Sequence, residues 1–154
     1  MKENLIVDAF NLIHAAERSG RFRAFCDIKR CVYALESFAC AGGSKIVLVF
    51  DGTRFRDEFR SSAHLEVLFS EGAQKADTVA ESWMSRLPAK DRLGWVLVSE
   101  DGALRRMALG WGLRVERPLD FLERVLQSET AQTKSGSGAG PSSEPFNNPF
   151  YHRF

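Results

Sequence analysis

The sequence is poor in soft metal ligands. Three cysteines and three histidines are spread over 154 residues, and no Cys-x-x-Cys or paired-histidine spacing joins them, so neither a zinc site nor a disulfide framework is encoded. Cys26, Cys31 and Cys40 fall in or beside one predicted helix and read as small core residues in a reducing compartment. No apolar run approaches the ~20 residues that span a bilayer, and Met1 leads within two residues into a strand with charged flanks instead of a signal core. The expectation is a soluble, cytoplasmic protein with no membrane partner. A dominant charge is lacking too. With 21 basic and 20 acidic residues the formal charge is +1, so any affinity for a polyanion must come from local clustering of bases. There is also no Walker loop and no Gly-x-Ser-x-Gly elbow, which removes support for nucleoside triphosphate hydrolysis and acyl transfer.

What is present is a recurrence: an apolar run that stops on an aspartate, three times before residue 102. Asn4-Leu5-Ile6-Val7 runs into Asp8, Lys45 to Phe50 into Asp51, and Gly94 to Glu100 into Asp101. The runs are short, rich in β-branched residues and without an alternating polar face, the mark of a parallel strand buried on both sides. Between them lie helical patterns. Ala9 to His14 opens a short helix that Gly20 interrupts, and Asp27 is the expected N-cap of a helix to about Cys40, stopped by Gly42-Gly43. Arg54 to Arg60 reads as a loop or broken helix, and Leu65 to Ser70 as an additional strand. Lys75 to Leu87 gives a helix ended near Pro88, Ala103 to Leu109 another, Leu113 to Val115 a last strand, and Pro118 opens a final helix. The whole predicts a three-layer α/β/α sandwich with a mainly parallel central sheet. One domain over residues 1–127 suits the length and the 44% hydrophobic content. Residues 128–154 are expected to be a flexible Ser/Gly-rich linker with an aromatic ending, Pro145 to Phe154. That ending is either a tail folded back on its domain or a docking motif for a protein partner.

In an open parallel sheet the strand ends emerge on one edge, where ligands bind. Asp8, Asp51 and Asp101 would gather there, joined by Asp77 and Glu81, which are four apart and so share a helix face. An aspartate after a strand commonly caps the next helix, and for any one of them capping is the commoner role. Convergence of the set is not required by capping. Oxygen donors without histidine or thiolate suit Mg²⁺ or Mn²⁺, ions that polarise a phosphodiester and generate hydroxide from bound water. Asp51-Gly52-Thr53 is placed as in haloacid-dehalogenase phosphatases, but Val49 stands where their nucleophilic aspartate belongs. A receiver domain gathers acids after strands as well, yet leaves the Asp77 and Glu81 pair and the arginine-rich loops unexplained.

Four segments carry a resemblance. Val7-Asp8-Ala9-Phe10-Asn11-Leu12-Ile13 resembles the opening of NYN domains, and Val49-Phe50-Asp51 their second strand. Ala76-Asp77-Thr78-Val79-Ala80-Glu81 resembles their acidic helix start, and Val98-Ser99-Glu100-Asp101 a later strand end. In order and separation they are similar to the YacP-like branch of this PIN-like ribonuclease superfamily, over about residues 4–126. The resemblance implies a PIN-like fold and a divalent-metal-dependent endoribonuclease associated with ribosomes and messenger RNA. It also implies that Asp8, Asp77 and Asp101 bind metal, that Asp51 and Glu81 are further acidic members, and that Asn11 steadies the site. Ala9 replaces the usual glycine, Glu100 a frequent serine, and Ala80 an isoleucine; Glu100 adds negative charge.

Arg18, Arg21, Arg23, Arg54, Arg56, Arg60, Lys75, Arg105 and Arg106 fall in loops or helix starts near predicted strand ends and are the candidate RNA-phosphate contacts. Phe22, Phe25, Phe55 and Phe59 are candidate stacking partners for single-stranded RNA bases. For any single arginine an ordinary solvated role is the commoner one. His14 and His64 lack triad partners and read as structural or RNA-facing. The rival functions are a non-catalytic RNA- or ribonucleoprotein-binding adaptor on the same fold and a DNA-directed nuclease.

Overall fold

The computed structural model describes residues 2–138 of the chain. Asn4–Asp8 (β1), Ile46–Phe50 (β2), Leu65–Phe69 (β3), Trp95–Val98 (β4) and Arg114–Glu116 (β5) form one sheet in the order β3-β2-β1-β4-β5. Every pairing is parallel. The three apolar runs that stop on aspartate are β1, β2 and β4, the centre of this sheet. The run predicted from Gly94 begins one residue later, because Ala89–Gly94 is taken up in a 3-10 turn.

Side-chain alternation sends each strand into two cores. Leu5, Val7 and Leu48 pack on one face with helices Ala9–Ser19 (α1) and Ile28–Gly42 (α2), and with Phe121, Leu122 and Val125 of Pro118–Gly138 (α5). Ile6, Val47 and Val49 pack on the other with Ala76–Ser85 (α3) and Gly102–Gly110 (α4). Both faces being covered, the strands need no polar face, which is why their sequences read as unbroken apolar runs. The expected three-layer α/β/α sandwich is the structure found.

Local signals set the helix bounds. Asp27 caps α2, its Oδ1 accepting the Arg30 amide at 3.1 Å, and Gly43 ends it in the left-handed region at φ 66° that residues with a Cβ disfavour. The helix opening at Ala9 runs further than its first apolar turns suggest, to Ser19, with Gly20 as its stop.

The connection from β2 to β3 has no helix, only turns. Phenylalanines fill the place a helix would cover. Phe50 stacks on Phe59 at 5.5 Å and on Phe69 at 5.3 Å between ring centroids, with Phe10 edge-on at 5.6 Å and Phe55 at 6.0 Å. Phe22 and Phe25 are 3% and 2% exposed, and Phe55 and Phe59 pack against the same core. The base-stacking role expected for these four is therefore corrected: Phe22 and Phe25 are core, and Phe55 and Phe59 are engaged with other phenylalanines. Of the cysteines, Cys31 is buried and Cys26 half-buried, as small core residues should be, but Cys40 is exposed.

A second departure lies at the C-terminal side. The linker expected from residue 128 begins inside α5, which continues to Gly138. Gln127 to Lys134 holds neither glycine nor proline, so nothing in it breaks a helix, and composition alone conceals this. Arg124 ties α5 down, bonding Glu116 Oε2 at 2.9 Å and Glu3 Oε1 at 2.7 Å, with Phe38 and Phe121 rings beside its guanidinium. The aromatic ending, Pro145 to Phe154, lies outside the described residues. Among the described residues no helix is long and apolar enough to cross a membrane.

Since Phe50 is the ring shared by the aromatic cluster, Phe50→Ala is expected to cost about 3–5 kcal/mol in urea unfolding. A loss below about 1 kcal/mol would show that the helix-free connection is not held by these rings.

Candidate functional site

All five strands point the same way, so Asp8, Asp51 and Asp101 emerge together at the carboxyl edge, and β1 lies between β2 and β4. There the chain leaves β1 toward β2 over one face and later reaches β4 over the other, the topological switch where open sheets bind ligands.

Each of these aspartates does cap a helix. Asp8 Oδ1 accepts the Asn11 amide of α1 at 3.1 Å, and Asp101 Oδ1 the Leu104 amide of α4 at 2.9 Å. Asp51 Oδ1 accepts the Ala76 amide, the first of α3, at 3.1 Å, across 25 residues of sequence. Capping and convergence are thus not alternatives here. The amide bonds hold the carboxylates at the crevice. Asp8 is half-buried, and burial pushes its carboxyl above the ordinary 3.8; the Asn11 amide opposes this, and the charges of Asp51 and Asp77 add to the rise. The groups that act most on it include no base.

The structure therefore brings Asp8, Asp51 and Asp77 within electrostatic reach of one another. Asp101 lies exposed at the head of α4, and Glu81 half-buried one turn beyond Asp77 in α3; neither figures among the groups that shift Asp8. Among the described residues no three His, Cys, Asp or Glu side chains form a ready metal-holding group. The donor set nevertheless has the right chemistry for a hard cation. Mg²⁺ keeps most of its waters and needs one or two carboxylates plus phosphate oxygens, and the carboxylate oxygens of the half-buried Asp8 and Asp77 are donors of that kind.

Asn11 is half-buried and spans the switch point. Its amide donates to Asp8, and its side-chain Oδ1 accepts the Glu100 amide at 3.1 Å, joining the ends of β1 and β4. Two further residues act here that sequence reasoning did not single out as functional. Ser70 and Ser99, each 1% exposed, are the buried polar residues of the described chain. Ser70 Oγ accepts the Gly52 amide at 2.8 Å and donates to Asp51 Oδ1 at 3.1 Å; Ser99 Oγ accepts the Asp101 amide at 3.0 Å. Both come directly after an apolar run, and a serine in that place was the available signal. Gly52 turns away at φ 87°, which lets its amide face Ser70.

The basic residues divide. Arg18 pairs with Glu100, Arg21 with Glu123 at 2.7 Å, and Arg56 with Glu71 at 2.6 Å. Arg23, Arg54, Arg60, Lys75, Arg105 and Arg106 make no ion pair among the described residues, and Arg54 lies over the Phe55 ring at 5.1 Å. Lys75 immediately precedes α3, and Arg105 and Arg106 lie in the opening turns of α4. Arg21 leans on α5 through Glu123, so its partner belongs to a different part of the surface. His64 is structural, its Nδ1 on Ser44 O at 2.9 Å, and His14 is exposed on α1.

Ionised Asp8 opposes folding because its native carboxyl titrates above its unfolded value. That cost is present at neutral pH and vanishes once pH falls below 3.8, where both states are protonated. Asparagine caps as well as aspartate, so Asp8→Asn is expected to be at least as stable as the wild type at pH 7, with the difference shrinking toward pH 4. Denaturant titrations at the two pH values check this; a loss above about 1 kcal/mol at pH 7, the usual cost of a lost cap, contradicts it.

The YacP-like NYN domain model matches residues 5–147. Among solved structures the chain is similar to Rae1 (YacP) from Bacillus subtilis, with a TM-score of 0.69 at 18% identity, covering 99% of this chain and 89% of that one. A point mutant of the same protein gives a TM-score of 0.65 at 18% identity, covering 86% of this chain and 79% of the other. No curated protein matches. At that identity the structures speak for the fold, while the family model spans nearly the whole chain. With the acidic crevice at the switch of an all-parallel sheet, the chain belongs to the YacP-like NYN domain family, a branch of the PIN-like nucleases.

Proposed function

We propose that the chain is a divalent-metal-dependent endoribonuclease that hydrolyses RNA phosphodiester bonds with Mg²⁺ or Mn²⁺ held at the carboxyl edge. The observation that carries this is Asp8, half-buried and facing the charges of Asp51 and Asp77 with no base among the groups that act most on it. Burial and like charges both disfavour the ionised carboxyl, and a cation among them relieves that cost. On this reading Asp8 and Asp77 hold the ion, with Asp101 reaching it from the head of α4, and Asp51 and Glu81 add to the acidic field. When bound, a divalent ion polarises the phosphodiester and lowers the pKa of a coordinated water.

The chain's own residues do the rest. The Asn11 amide fixes Asp8, Ser70 and the Ala76 amide fix Asp51, and Ser99 fixes the backbone at Asp101. Lys75, Arg54, Arg105, Arg106, Arg23 and Arg60, which make no ion pair among the described residues, are the candidates to hold phosphates of single-stranded RNA. Family resemblance makes messenger RNA on the ribosome the favoured substrate, in the cytoplasm. A protein partner for the aromatic ending belongs to the same proposal.

One finding favours a second reading. The want of a ready three-carboxylate group among the described residues fits an adaptor that binds RNA without cutting it. The two part on turnover. With Mn²⁺ titrated against single-stranded RNA, Asp8→Asn and Asp77→Asn are expected to lose cleavage by more than the roughly 10–100-fold typical of outer-shell changes at metal sites, while RNA binding persists. Cleavage that survives excess chelator rules out the metal, and binding without cleavage in the wild type establishes the adaptor. Ribose and deoxyribose substrates compared side by side separate ribonuclease from deoxyribonuclease.

A further inference from the structure

Arg18 and Glu100 are 82 residues apart in sequence, yet their side chains form a close ion pair, Nη2 to Oε2. Neither is there by accident of a flexible tail. Arg18 is in the last turn of α1, and Glu100 lies between the buried Ser99 and the helix-capping Asp101, its own amide held by Asn11 Oδ1 at 3.1 Å. That same asparagine holds Asp8. Glu100 is therefore fixed beside the carboxylate crevice, and Arg18 reaches across to it. The side chains are 60% and 37% exposed, so solvent screens the pair and its net contribution to stability is small. It is cheap to break. A phosphodiester presents a guanidinium with the same geometry as a carboxylate, two oxygens in a plane.

We infer that Glu100 is a built-in competitor for RNA at Arg18: it occupies the guanidinium in the free protein and yields it to a substrate phosphate, so that Glu100 limits affinity and Arg18 is a phosphate contact next to the reacting centre. The inference rests on the nuclease reading and names a regulating residue within that site. It gives the extra negative charge at position 100 a role other than metal ligation. It also separates Arg18 from Arg21, whose glutamate partner belongs to α5 and not to a strand end of the crevice.

The test is equilibrium binding of a fluorescently labelled single-stranded RNA, in excess chelator and over a salt series. It compares the wild type, Glu100→Gln, Arg18→Gln and the double variant. Glu100→Gln is expected to bind about two- to fivefold tighter with the wild-type salt dependence, because Arg18 already meets phosphate in the wild-type complex. Arg18→Gln is expected to bind more weakly, its log–log salt slope smaller by about 0.7, the share of one phosphate contact on a single strand. Adding Glu100→Gln to Arg18→Gln should then change nothing. If Glu100→Gln binds no tighter, or gains as much without Arg18, the competition is refuted while the nuclease reading stands. A wild type that binds no RNA in any salt, with Mn²⁺ supplied as well as in chelator, overturns the nuclease reading itself.

Discussion

A parallel hydrogen-bonded ladder is the constraint on which everything else in the molecule depends. Strands that all run one way cannot be joined by hairpins, so after each strand the chain must return over a face before starting the next. Two consequences are visible. Both faces of the sheet are covered, by α1, α2 and α5 on one side and α3 and α4 on the other, and every strand delivers its last residue to the same edge. Because β1 is central and the chain switches faces after β3, Asp8 emerges between the ends of β2 and β4. Residues that are distant in sequence meet there without any of them having to be near in the chain.

Helix starts at such an edge carry unpaired amides, and in many α/β proteins those amides bind the ligand's phosphate directly. Here an aspartate takes one amide at each of three starts, Asp8 at α1, Asp51 at α3 and Asp101 at α4. Each cap contributes about 1 kcal/mol to its helix, and Ser70 and Ser99 then fix the orientation of what caps them. The fold thus uses its anion-binding amides to hold anions of its own. On the nuclease reading, recognition of an RNA backbone falls to side chains, with Lys75, Arg54, Arg105 and Arg106 the candidates, and to the cation that the carboxylates would hold.

Much of this could be read from the residues. The three apolar runs ending on aspartate were legible because burial on both faces leaves no polar letter in the run, and Asp27, Gly20 and Gly43 mark helix ends by chemistry that is local. That Asp8, Asp51 and Asp101 leave the sheet at one edge was legible because topology, not contact, decides where strand ends go. Other features were not. Phe22, Phe25, Phe55 and Phe59 sit among arginines in sequence and look like an RNA-binding surface, yet Phe22 and Phe25 are buried in the core, and Phe55 and Phe59 pack on Phe50, which the helix-free connection between β2 and β3 leaves otherwise uncovered. The continuation of α5 to Gly138 was hidden because the serines, threonines and glycines there read as linker, although Gln127, Glu129, Ala131, Gln132 and Lys134 among them are good helix formers. Whether an arginine is paired depends on glutamates 15, 82 or 102 positions away, and no window of sequence contains that. Ser70 was passed over although it stands directly after an apolar run, because a serine alone is too common a letter to mark as buried and bonded to an aspartate.

The electrostatics of the edge also order the events in which it takes part. An RNA phosphate approaching Asp8, Asp51 and Asp77 would add a further negative charge to a pocket whose middle carboxyl already resists ionisation. At 4 Å two unit charges interact by ~4 kcal/mol when the effective dielectric constant is about 20, so the bases on the rim cannot by themselves draw a phosphate onto the aspartates. Proton uptake would relieve the repulsion, but a protonated carboxyl is a poor ligand and activates nothing. A divalent ion relieves it while leaving the carboxylates charged. On the nuclease reading the cation must therefore be in place before a phosphate can sit at the aspartates, while the bases on the rim hold the rest of the strand with or without it.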